Sequence, residues 1–442
     1  MSDTKLKTLN PEERIHNYNE VVLGMNSEQA LAEANRCLNC VNHPCVDGCP
    51  IHNRIPEFIS KIKENKIDEA YEIIESKSTL PSICSRVCPS EIQCQAKCTK
   101  GYKEDPICIN GLERYVCDNH TNKNITKQKS NNHSVAIIGA GPSGLSCAKK
   151  LALLGYDVTI FESFELPGGV LTYGIPEFRL PKKIVEDEIN KIINLGVTIN
   201  TNKKIESFID LKKDYDALYI SIGAAESLFM NIKGEDLNGV FGANDFLLNA
   251  NLHKEKMISL IKNKNVIVVG GGNVAMDVAR SSVRLGAAST NIVYRRSLKE
   301  MPACKQELEQ TLQEGVKLNI LTNPVEILGQ ENVSGVRCIK IELGEPDEKG
   351  RRKPIEIKGS EFEIEADVVV MALSSKYDDM IKSQNIELNK YGYIETKQDM
   401  STSVEGIFAG GDIVSGPATV AKAVEDGIKA STSIDKYIQS KI

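Results

Sequence analysis

The sequence predicts an α/β protein in which a helical N-terminal domain precedes two Rossmann-like domains. Two observations support this prediction. Ten of the 13 cysteines in the 442-residue chain lie between Cys37 and Cys117. Farther on, stretches that begin at residues 134 and 265 each run as buried strand, glycine turn, helix and second strand, the order of a βαβ unit. The N-terminal quarter is therefore set apart by its cysteines, and the rest of the chain contains two βαβ units.

Changes in composition mark the expected domain boundaries. Apolar residues recur at helical spacing over residues 21–36 and 56–77, before a polar stretch that has the composition of a linker. The C-terminal stretch adds a strand, a glycine turn and a helix without a new fingerprint, so we expect it to return to the first Rossmann-like domain. The predicted units are a helical domain at 1–120, a linker at 121–133, a first Rossmann-like domain at 134–250 and 367–442, and a second at 251–366.

Charge and hydropathy argue against two classes of partner. The chain has 54 basic and 60 acidic side chains, a net charge of -6, and 41% hydrophobic residues. Such a balance offers no cationic excess for nucleic acid or an anionic membrane surface. The N-terminus lacks an apolar signal core, and no run approaches the roughly 18 apolar residues that span a bilayer. We therefore expect a cytoplasmic protein that binds neither nucleic acid nor membrane.

Eight of the N-terminal cysteines have the spacing of iron–sulfur ligands. Residues 37–50 read C-x2-C-x4-C-x3-C-P, and residues 84–98 read C-x3-C-P-x4-C-x3-C. Close spacing lets several thiolates converge on one cuboidal [4Fe-4S] cluster, and a cysteine before proline serves the other cluster in two-cluster ferredoxins. By that logic Cys49, which precedes Pro50, does not bind the same cluster as Cys37, Cys40 and Cys45. The alternative is a pair of tetrahedral zinc sites, although these usually join two short C-x2-C knuckles.

The first glycine turn has the residues of a dinucleotide fingerprint. Gly139, Gly141 and Gly144 form G-x-G-x-x-G directly after a predicted strand. The first glycine suits a tight turn, the second lets backbone approach a pyrophosphate, and the third allows close helix packing. Glu162 follows about 20 residues later, at the position where a carboxylate accepts from a ribose hydroxyl. The alternative is a purely structural glycine turn.

The second turn differs in a way that favours NADPH. Gly270, Gly272 and Ala275 form G-x-G-x-x-A, and the following strand ends in Arg295 and Arg296 instead of an acid. Two guanidinium groups suit a 2′-phosphate, which a carboxylate would repel. The alternative is that either arginine belongs to a solvated face.

No arrangement of nucleophile and base appears in the sequence, so we assign no catalytic side chain. Hydride and electron transfer need none, because the cofactors carry that chemistry. Asp412 follows a glycine pair after a strand and is a candidate acceptor for a flavin ribityl hydroxyl, or an ordinary turn aspartate.

Taken together, the motifs resemble a known family. The order CLNCVNHPCVDGCP, CSRVCPSEIQC, GAGPSGL, LPGGVLTYGIPEFRLPK, VVGGGNVAMDVAR, VYRRS and GIFAGGD spans nearly the whole chain. It resembles the small subunit of glutamate synthase, in the cluster-rich form that also serves as the large subunit of NADH-dependent reduced ferredoxin:NADP oxidoreductase. It is also similar to the N-terminal half of dihydropyrimidine dehydrogenase.

The resemblance implies FAD, NADP(H), two [4Fe-4S] clusters and a set of residues for each. One cluster would be held by Cys37, Cys40, Cys45 and Cys98. The other would be held by Cys49, Cys88, Cys94 and Glu113, with Cys84 a spectator. FAD would contact Gly139, Gly141, Gly144, Glu162, Gly169 and Asp412. NADP(H) would contact Gly271, Gly272, Asn273, Arg295 and Arg296.

Two segments depart from the family pattern. MALSS stands at 371–375, where an A-I-G run is usual, and Ala225 and Glu226 follow SIGA, where a glycine is common. Either departure changes how closely a dinucleotide can approach the backbone.

The resemblance implies an NADPH-dependent oxidoreductase that exchanges electrons with a partner subunit. The predicted function is electron input to a glutamate synthase large chain, within a hetero-oligomer. The first alternative is the large subunit of an electron-bifurcating transhydrogenase with a ferredoxin-reductase-like flavoprotein partner. A second alternative is a non-enzymatic assembly scaffold, which the altered glycine runs would suit.

Overall fold

A computed structural model describes residues 6–121, 126–347 and 350–441. The helices are α1 (Pro11–Arg14), α2 (Ser27–Asn35), α3 (Pro44–Asp47), α4 (Ile55–Lys63), α5 (Ile67–Lys77), α6 (Pro81–Val87), α7 (Ile109–Asn119), α8 (Pro142–Leu153), α9 (Val170–Tyr173), α10 (Lys182–Asn194), α11 (Phe208–Lys212), α12 (Ala243–Leu252), α13 (Lys254–Ile261), α14 (Asn273–Arg284), α15 (Lys305–Gln313), α16 (Asp412–Ser415) and α17 (Val420–Gln439). Within the described ranges, no helix has both the length and the apolar character needed to cross a membrane.

The strands form two parallel sheets, one antiparallel sheet and a short ribbon. They are β1 (Ser134–Ile138), β2 (Asp157–Phe161), β3 (Thr198–Asn200), β4 (Ala217–Ile220), β5 (Glu226–Ser227), β6 (Val240–Gly242), β7 (Asn265–Val269), β8 (Ser289–Tyr294), β9 (Lys317–Ile320), β10 (Thr322–Gly329), β11 (Val333–Pro346), β12 (Arg352–Glu356), β13 (Phe362–Glu365), β14 (Val368–Met371), β15 (Ser375–Lys376) and β16 (Ile407–Ala409).

The N-terminal domain is helical, as expected, but its helices are shorter than predicted. Asn26 caps α2 through a capping box with Gln29, so this helix begins inside the predicted range 21–36. The predicted range 56–77 is divided between α4 and α5. The break includes Asn65, whose φ is 55°, a left-handed conformation that asparagine tolerates better than most residues. Helices α2, α4, α5 and α7 enclose one apolar core.

The first parallel sheet has the strand order β16-β4-β1-β2-β3. The C-terminal strand β16 pairs with β4, so the chain returns to this sheet after forming the second one. In β1, the residues from Val135 to Ile138 are at most 5% exposed. Such a continuous apolar run is typical of a strand that is covered on both faces. Helices α8 and α17 pack against each other beside the sheet.

The second parallel sheet has the order β6-β14-β7-β8-β9. Its strands β6 and β14 lie outside the predicted range 251–366, so the strand pairing differs from the boundaries predicted from composition. The chain crosses between the two sheets near β5 and β15, which pair antiparallel through Ser227 and Ser375. Both segments that depart from the family pattern, around Glu226 and in 371–375, contribute to this ribbon.

The antiparallel sheet extends the second parallel sheet. Its order is β10-β11-β12, with β13 also paired to β11. The turn between β11 and β12 begins at Asp347, and its residues 348 and 349 lie outside the described ranges. Asp347 Oδ1 accepts from the backbone N–H of Arg351 at 2.9 Å, and the backbone N–H of Asp347 donates to Arg351 O at 2.7 Å.

The N-terminal segment is joined to the second sheet by buried charges. Arg14 is 0% exposed, and its Nε donates to Glu314 Oε1 at 2.7 Å. Arg280 and Arg284, both on α14, donate to the same carboxylate. The ring of Phe178, from the loop after α9, lies 3.9 Å from the Arg284 Cζ atom. Arg14, Arg280, Arg284, Glu314 and Phe178 therefore form a buried joint, a charge cluster in which the N-terminal segment, the first Rossmann-like unit and the second meet.

The predicted linker is described in part. Residues 122–125 lie outside the described ranges. In the remainder, the backbone N–H of Asn131 donates to Gly155 O, and His133 O accepts from Asp157 N, both at 2.9 Å. This part of the segment therefore lies against the first sheet, beside β2.

Candidate dinucleotide and iron–sulfur sites

The glycine turn after β1 has the shape that a pyrophosphate requires. Gly139 has a φ of 100°, and a Cβ there would lie 2.6 Å from the carbonyl oxygen of Ser221. A Cβ on Gly144 would overlap the carbonyl oxygen of Gly139. At Gly141, by contrast, a Cβ would have no heavy atom within 4 Å. The first and third glycines thus permit tight packing, and the second leaves open space at the N-terminus of α8.

Glu162 lies directly beside this turn. Its Oε2 accepts from the backbone N–H of Ala140 at 2.8 Å, and its Oε1 accepts from Phe164 N at 2.9 Å. Oε1 also accepts from Ser163 Oγ at 3.3 Å, whereas Oε2 keeps a second lone pair that can accept from a ribose hydroxyl. Gly169 faces the turn from the other side, because a Cβ on it would lie 3.0 Å from the Cα of Gly141. The structure therefore brings the predicted FAD residues of the first unit together.

Asp412 lies at the start of α16, next to the same region. Its Oδ1 accepts from the backbone N–H of Ala418 at 3.2 Å. Burial, with a contribution from the nearby charge of Asp426, raises the pKa of Asp412 to about 6. Sequence reasoning missed Asp426, whose Oδ2 accepts from Gly411 N at 3.0 Å while Lys422 pairs with its Oδ1. The i,i+4 spacing of Lys422 and Asp426 on a helix was the available signal.

The second glycine turn follows β7 and repeats the first in outline. Gly270 has a φ of 147°, and a Cβ there would overlap the carbonyl oxygen of Ala372. A Cβ on Gly271 would lie 2.6 Å from the ring of Tyr294, whereas one on Gly272 would meet nothing within 4 Å. Gly272 caps the N-terminus of α14, so the open position again lies at a helix end that favours anions.

Asn273 holds a loop over this turn. Its Oδ1 accepts from the backbone N–H of Cys304 at 2.8 Å, and its Nδ2 lies 3.5 Å from the Cys304 Sγ. The backbone N–H of Ala303 also donates to Gly271 O at 3.1 Å. The predicted NADP(H) residue Asn273 therefore lies at the turn, and its side chain holds the segment at Ala303 and Cys304 against it.

The two predicted phosphate-binding arginines have different environments. Arg295 is exposed at the end of β8. Arg296 is 7% exposed, and its Nε donates to the backbone oxygen of Arg352 at 2.8 Å. Because Val269 pairs with Val293 in the parallel register, this strand end lies next to the glycine turn. The structure thus brings the arginines and the turn together, with Arg295 the freer of the two.

The first thiol set lines one cavity. Its members are Cys37, Cys40, Cys45 and Cys98. All four are partly exposed, and Pro44, Ile55 and Thr99 complete the wall. Burial, and then the charges that Cys37 and Cys98 would carry, raise the pKa of Cys45 to about 12. Four thiolates in this space therefore require compensating positive charge, which an iron–sulfur cluster supplies.

The second thiol set is more deeply buried. Its predicted ligands are Cys49, Cys88, Cys94 and Glu113. Burial raises the pKa of Glu113 to about 8, although Asn53 Nδ2 donates to its Oε1 at 3.1 Å. Burial, with smaller contributions from the neighbouring Glu113 and Cys84, raises the pKa of Cys49 to about 11. Cys84 contacts Cys88, so the predicted spectator lies within this set as a fifth candidate.

The donor types in both sets fit iron–sulfur ligation. Among the described residues, no three His, Cys, Asp or Glu side chains converge closely enough to hold a single metal ion. In a [4Fe-4S] cluster each protein donor binds a different iron, so the donors lie farther apart than they do around one ion. Glu113, a buried carboxylate that accepts from the neutral amide of Asn53, likewise fits a position beside a cationic centre.

Comparisons with known proteins match the two parts of the chain that contain these sites. The model of dihydropyrimidine dehydrogenase domain II, 4Fe-4S cluster, matches residues 14–125, and that of pyridine nucleotide-disulphide oxidoreductases matches residues 133–427. The NADP(+)-dependent formate dehydrogenase subunit beta of Moorella thermoacetica is 39% identical over 90% of this chain, which spans 60% of that relative. The glutamate synthase [NADPH] small chain of Escherichia coli is 36% identical over 93% of this chain and 92% of the relative.

Solved structures agree in fold. FprA of Mycobacterium tuberculosis in complex with NADPH has a TM-score of 0.61 at 20% identity, over 70% of this chain and 85% of that one. The thioredoxin reductase of T. acidophilum has a TM-score of 0.55 at 22% identity, over 70% of this chain and all of that one. At these identities the similarity concerns the fold alone.

The family matches confirm the predicted fold class and favour iron–sulfur clusters over zinc in the N-terminal domain. With FAD, NADP(H) and [4Fe-4S] clusters as its cofactors, the chain belongs to the glutamate synthase small-chain family of oxidoreductases.

Proposed function

We propose that this chain is the electron-input subunit of an NADPH-linked enzyme of the glutamate synthase type. Electrons would pass between NADPH, FAD and two [4Fe-4S] clusters, and from the clusters to a partner subunit. The observation that carries the proposal is the order in which the two thiol sets lie between the first sheet and the protein surface.

The second thiol set lies nearest the first sheet. Cys84 is part of the apolar core of that sheet, and Cys49 and Cys88 pack against it. Cys49 also packs against the core of the N-terminal domain, to which the first set belongs. The exposed side chains Leu38 and Val41, 58% and 93% exposed, flank the first set. This order supports a route from the flavin side through the second set to the first and then outward.

The two glycine turns would hold the two dinucleotides. FAD, when bound, would supply the conversion between the two-electron hydride chemistry of NADPH and the single electrons that clusters carry. The protein's part is to bind and orient. Gly141 and Gly272 leave open space at the N-termini of α8 and α14, where a phosphate would fit. Glu162 would accept from a ribose hydroxyl, and Arg295 presents a guanidinium at the end of β8.

The thiols would be held deprotonated by their metal. With pKa values of about 12 for Cys45 and about 11 for Cys49, the free thiols are protonated at neutral pH. Cluster binding must therefore displace protons from these groups, and it stabilises the fold of the domain that supplies them.

Anaerobic reduction tests the redox proposal. NADPH added to the cofactor-loaded protein should bleach the flavin absorbance and produce the paramagnetic signal of reduced clusters. Failure to bleach a correctly loaded flavin would favour the scaffold alternative. Replacing Arg295 and Arg296 together by alanine should raise the KM for NADPH far more than that for NADH, and equal losses would contradict the phosphate assignment.

The partner is tested by purification from native cells. A large glutamine-using chain in the complex would support the glutamate synthase assignment. A small flavoprotein with a [2Fe-2S] centre would support the bifurcating transhydrogenase instead. A formate-oxidising chain would place the protein beside the formate dehydrogenase subunit to which it is similar.

A further inference from the structure

The turn between β11 and β12 is fixed against the end of β8. Arg296 Nε donates to the backbone oxygen of Arg352 at 2.8 Å. Arg352 Nε in turn donates to Glu300 Oε1 at 2.6 Å, just beyond β8. The antiparallel sheet therefore delivers its turn to the strand end where the phosphate-binding arginines lie, although some 50 residues separate the two in sequence.

The turn brings a third guanidinium to this place, that of Arg351, whose side chain is 43% exposed. Asp347 Oδ2 lies 3.5 Å from Arg296 Nη2 and 3.8 Å from Arg351 Nε. Charge-assisted hydrogen bonds are usually about 2.7 to 2.9 Å long, so these contacts lower the repulsion without fully using the donors. Among the described residues, the buried Nε of Arg351 has no hydrogen-bond partner. A buried donor without a partner is costly, which makes it a position for a ligand acceptor.

Among the described residues, arginines outnumber carboxylates at this place, which favours an anionic ligand. Arg352 is paired with Glu300, whereas Arg295, Arg296 and Arg351 have the Asp347 carboxylate among them. Burial, followed by the charges of Arg296 and Arg351, lowers the pKa of Arg295. The two neighbouring guanidinium groups thus destabilise the charged form of Arg295. A dianion at this point would relieve that repulsion and accept from several donors at once.

We propose that Arg351 is a third ligand of the 2′-phosphate of NADPH, so that the antiparallel sheet takes part in coenzyme selection. The proposal rests on the proposed function, since it assumes that Arg295 and Arg296 mark the phosphate position. Arg351 contributes planar, permanently charged donors from outside the βαβ unit. Selection against NADH then depends on Arg351 as well as on the arginines at the end of β8.

Binding calorimetry on the cofactor-loaded protein tests the proposal directly. Adenosine 2′,5′-bisphosphate serves as the probe for the 2′-phosphate, and 5′-AMP is the matched ligand without it. Arg351→Ala should weaken the bisphosphate about tenfold, equivalent to about 1.4 kcal/mol, and leave 5′-AMP unchanged. Arg351→Lys should restore part of the loss, since it keeps the charge without the planar donors. Arg337→Ala is the control, because that arginine of the same sheet is paired with Glu326 and Glu363.

The outcomes separate this inference from the function it assumes. If Arg295→Ala weakens the bisphosphate and Arg351→Ala does not, Arg351 is no ligand and the inference is wrong. If neither variant affects the bisphosphate, the proposed NADPH site is wrong as well. Equal weakening of 5′-AMP by Arg351→Ala would assign the turn to the adenosine pocket and overturn selection by phosphate. Unchanged melting temperatures for all the variants establish that folding is intact.

Discussion

Replacing Glu314 by glutamine should destabilise the protein strongly, because this carboxylate is shared by three buried arginines. It accepts from Arg14 Nε at 2.7 Å, Arg284 Nη1 at 2.6 Å and Arg280 Nη2 at 3.0 Å. All four side chains in these ion pairs are 0% exposed. The amide of glutamine has nearly the same shape but no charge, so Arg14 and Arg284 would lose this carboxylate partner, while Arg280 would keep its ion pair with Glu307.

The expected magnitude follows from two separate estimates. Removing one partner of a buried ion pair costs about 3 to 5 kcal/mol. Burial alone would raise the pKa of Glu314, but hydrogen bonds and charge from Arg284 and Arg280 lower it from 4.5 to about 2. A shift of that size corresponds to about 3 kcal/mol. For a chain of 442 residues that unfolds as one unit, such a loss lowers the melting temperature by roughly 3 to 5 °C.

Scanning calorimetry of the cofactor-loaded wild type and the Glu314→Gln variant at neutral pH measures the fall in melting temperature. Glu363→Gln is the matched control, because Glu363 pairs with Arg337 while its side chain is 58% exposed, and such pairs contribute about 0 to 1 kcal/mol. The difference between wild type and Glu314→Gln should shrink as the pH falls from about 4.5 towards 2. Because the pKa of Glu314 is lower in the folded protein than in the unfolded chain, its charge stabilises the fold at pH values above about 4.5. That stabilisation is lost as the pH falls towards 2 and the carboxylate protonates. A fall in melting temperature no larger than that of the control would refute the reasoning.

Three further substitutions test the cofactor sites. Gly141→Ala should fold normally yet lose most of its FAD, because a Cβ there meets only open space in the protein; a full flavin content by absorbance would contradict this. Gly144→Ala should lose FAD and also melt at a lower temperature, since its Cβ overlaps the oxygen of Gly139. Cys94→Ala should remove about four of about eight irons, with Cys84→Ala as the matched comparison; an equal loss in both, by iron and sulfide analysis, would make Cys84 a ligand.

The glycine turns could be predicted from sequence because their geometry is local. A positive φ at Gly139, open space at Gly141 and helix contact at Gly144 each depend on the missing side chain of the residue itself. The same holds for the placement of Glu162, which is fixed by the length of one strand–helix–strand unit. Sequence therefore locates the parts of a site that one βαβ unit contains.

The parts supplied by distant segments could not be predicted in this way. Arg351 reaches the end of β8 through a sheet whose register no local pattern specifies. Asp426 reaches Gly411 because α17 packs beside the first sheet. The break at Asn65 was missed for a simpler reason, since a single left-handed residue does not interrupt the apolar periodicity on either side of it.

The joint between Arg14 and Glu314 also constrains how the protein is made. The two residues are 300 positions apart in sequence. At roughly 5 to 20 residues per second, a ribosome needs about 15 to 60 s to reach the second after the first. During that time the N-terminal segment has no buried partner for its guanidinium. The thiols that follow it emerge long before the joint can close, so nascent chains offer them to cluster assembly while the segment before them is still undocked.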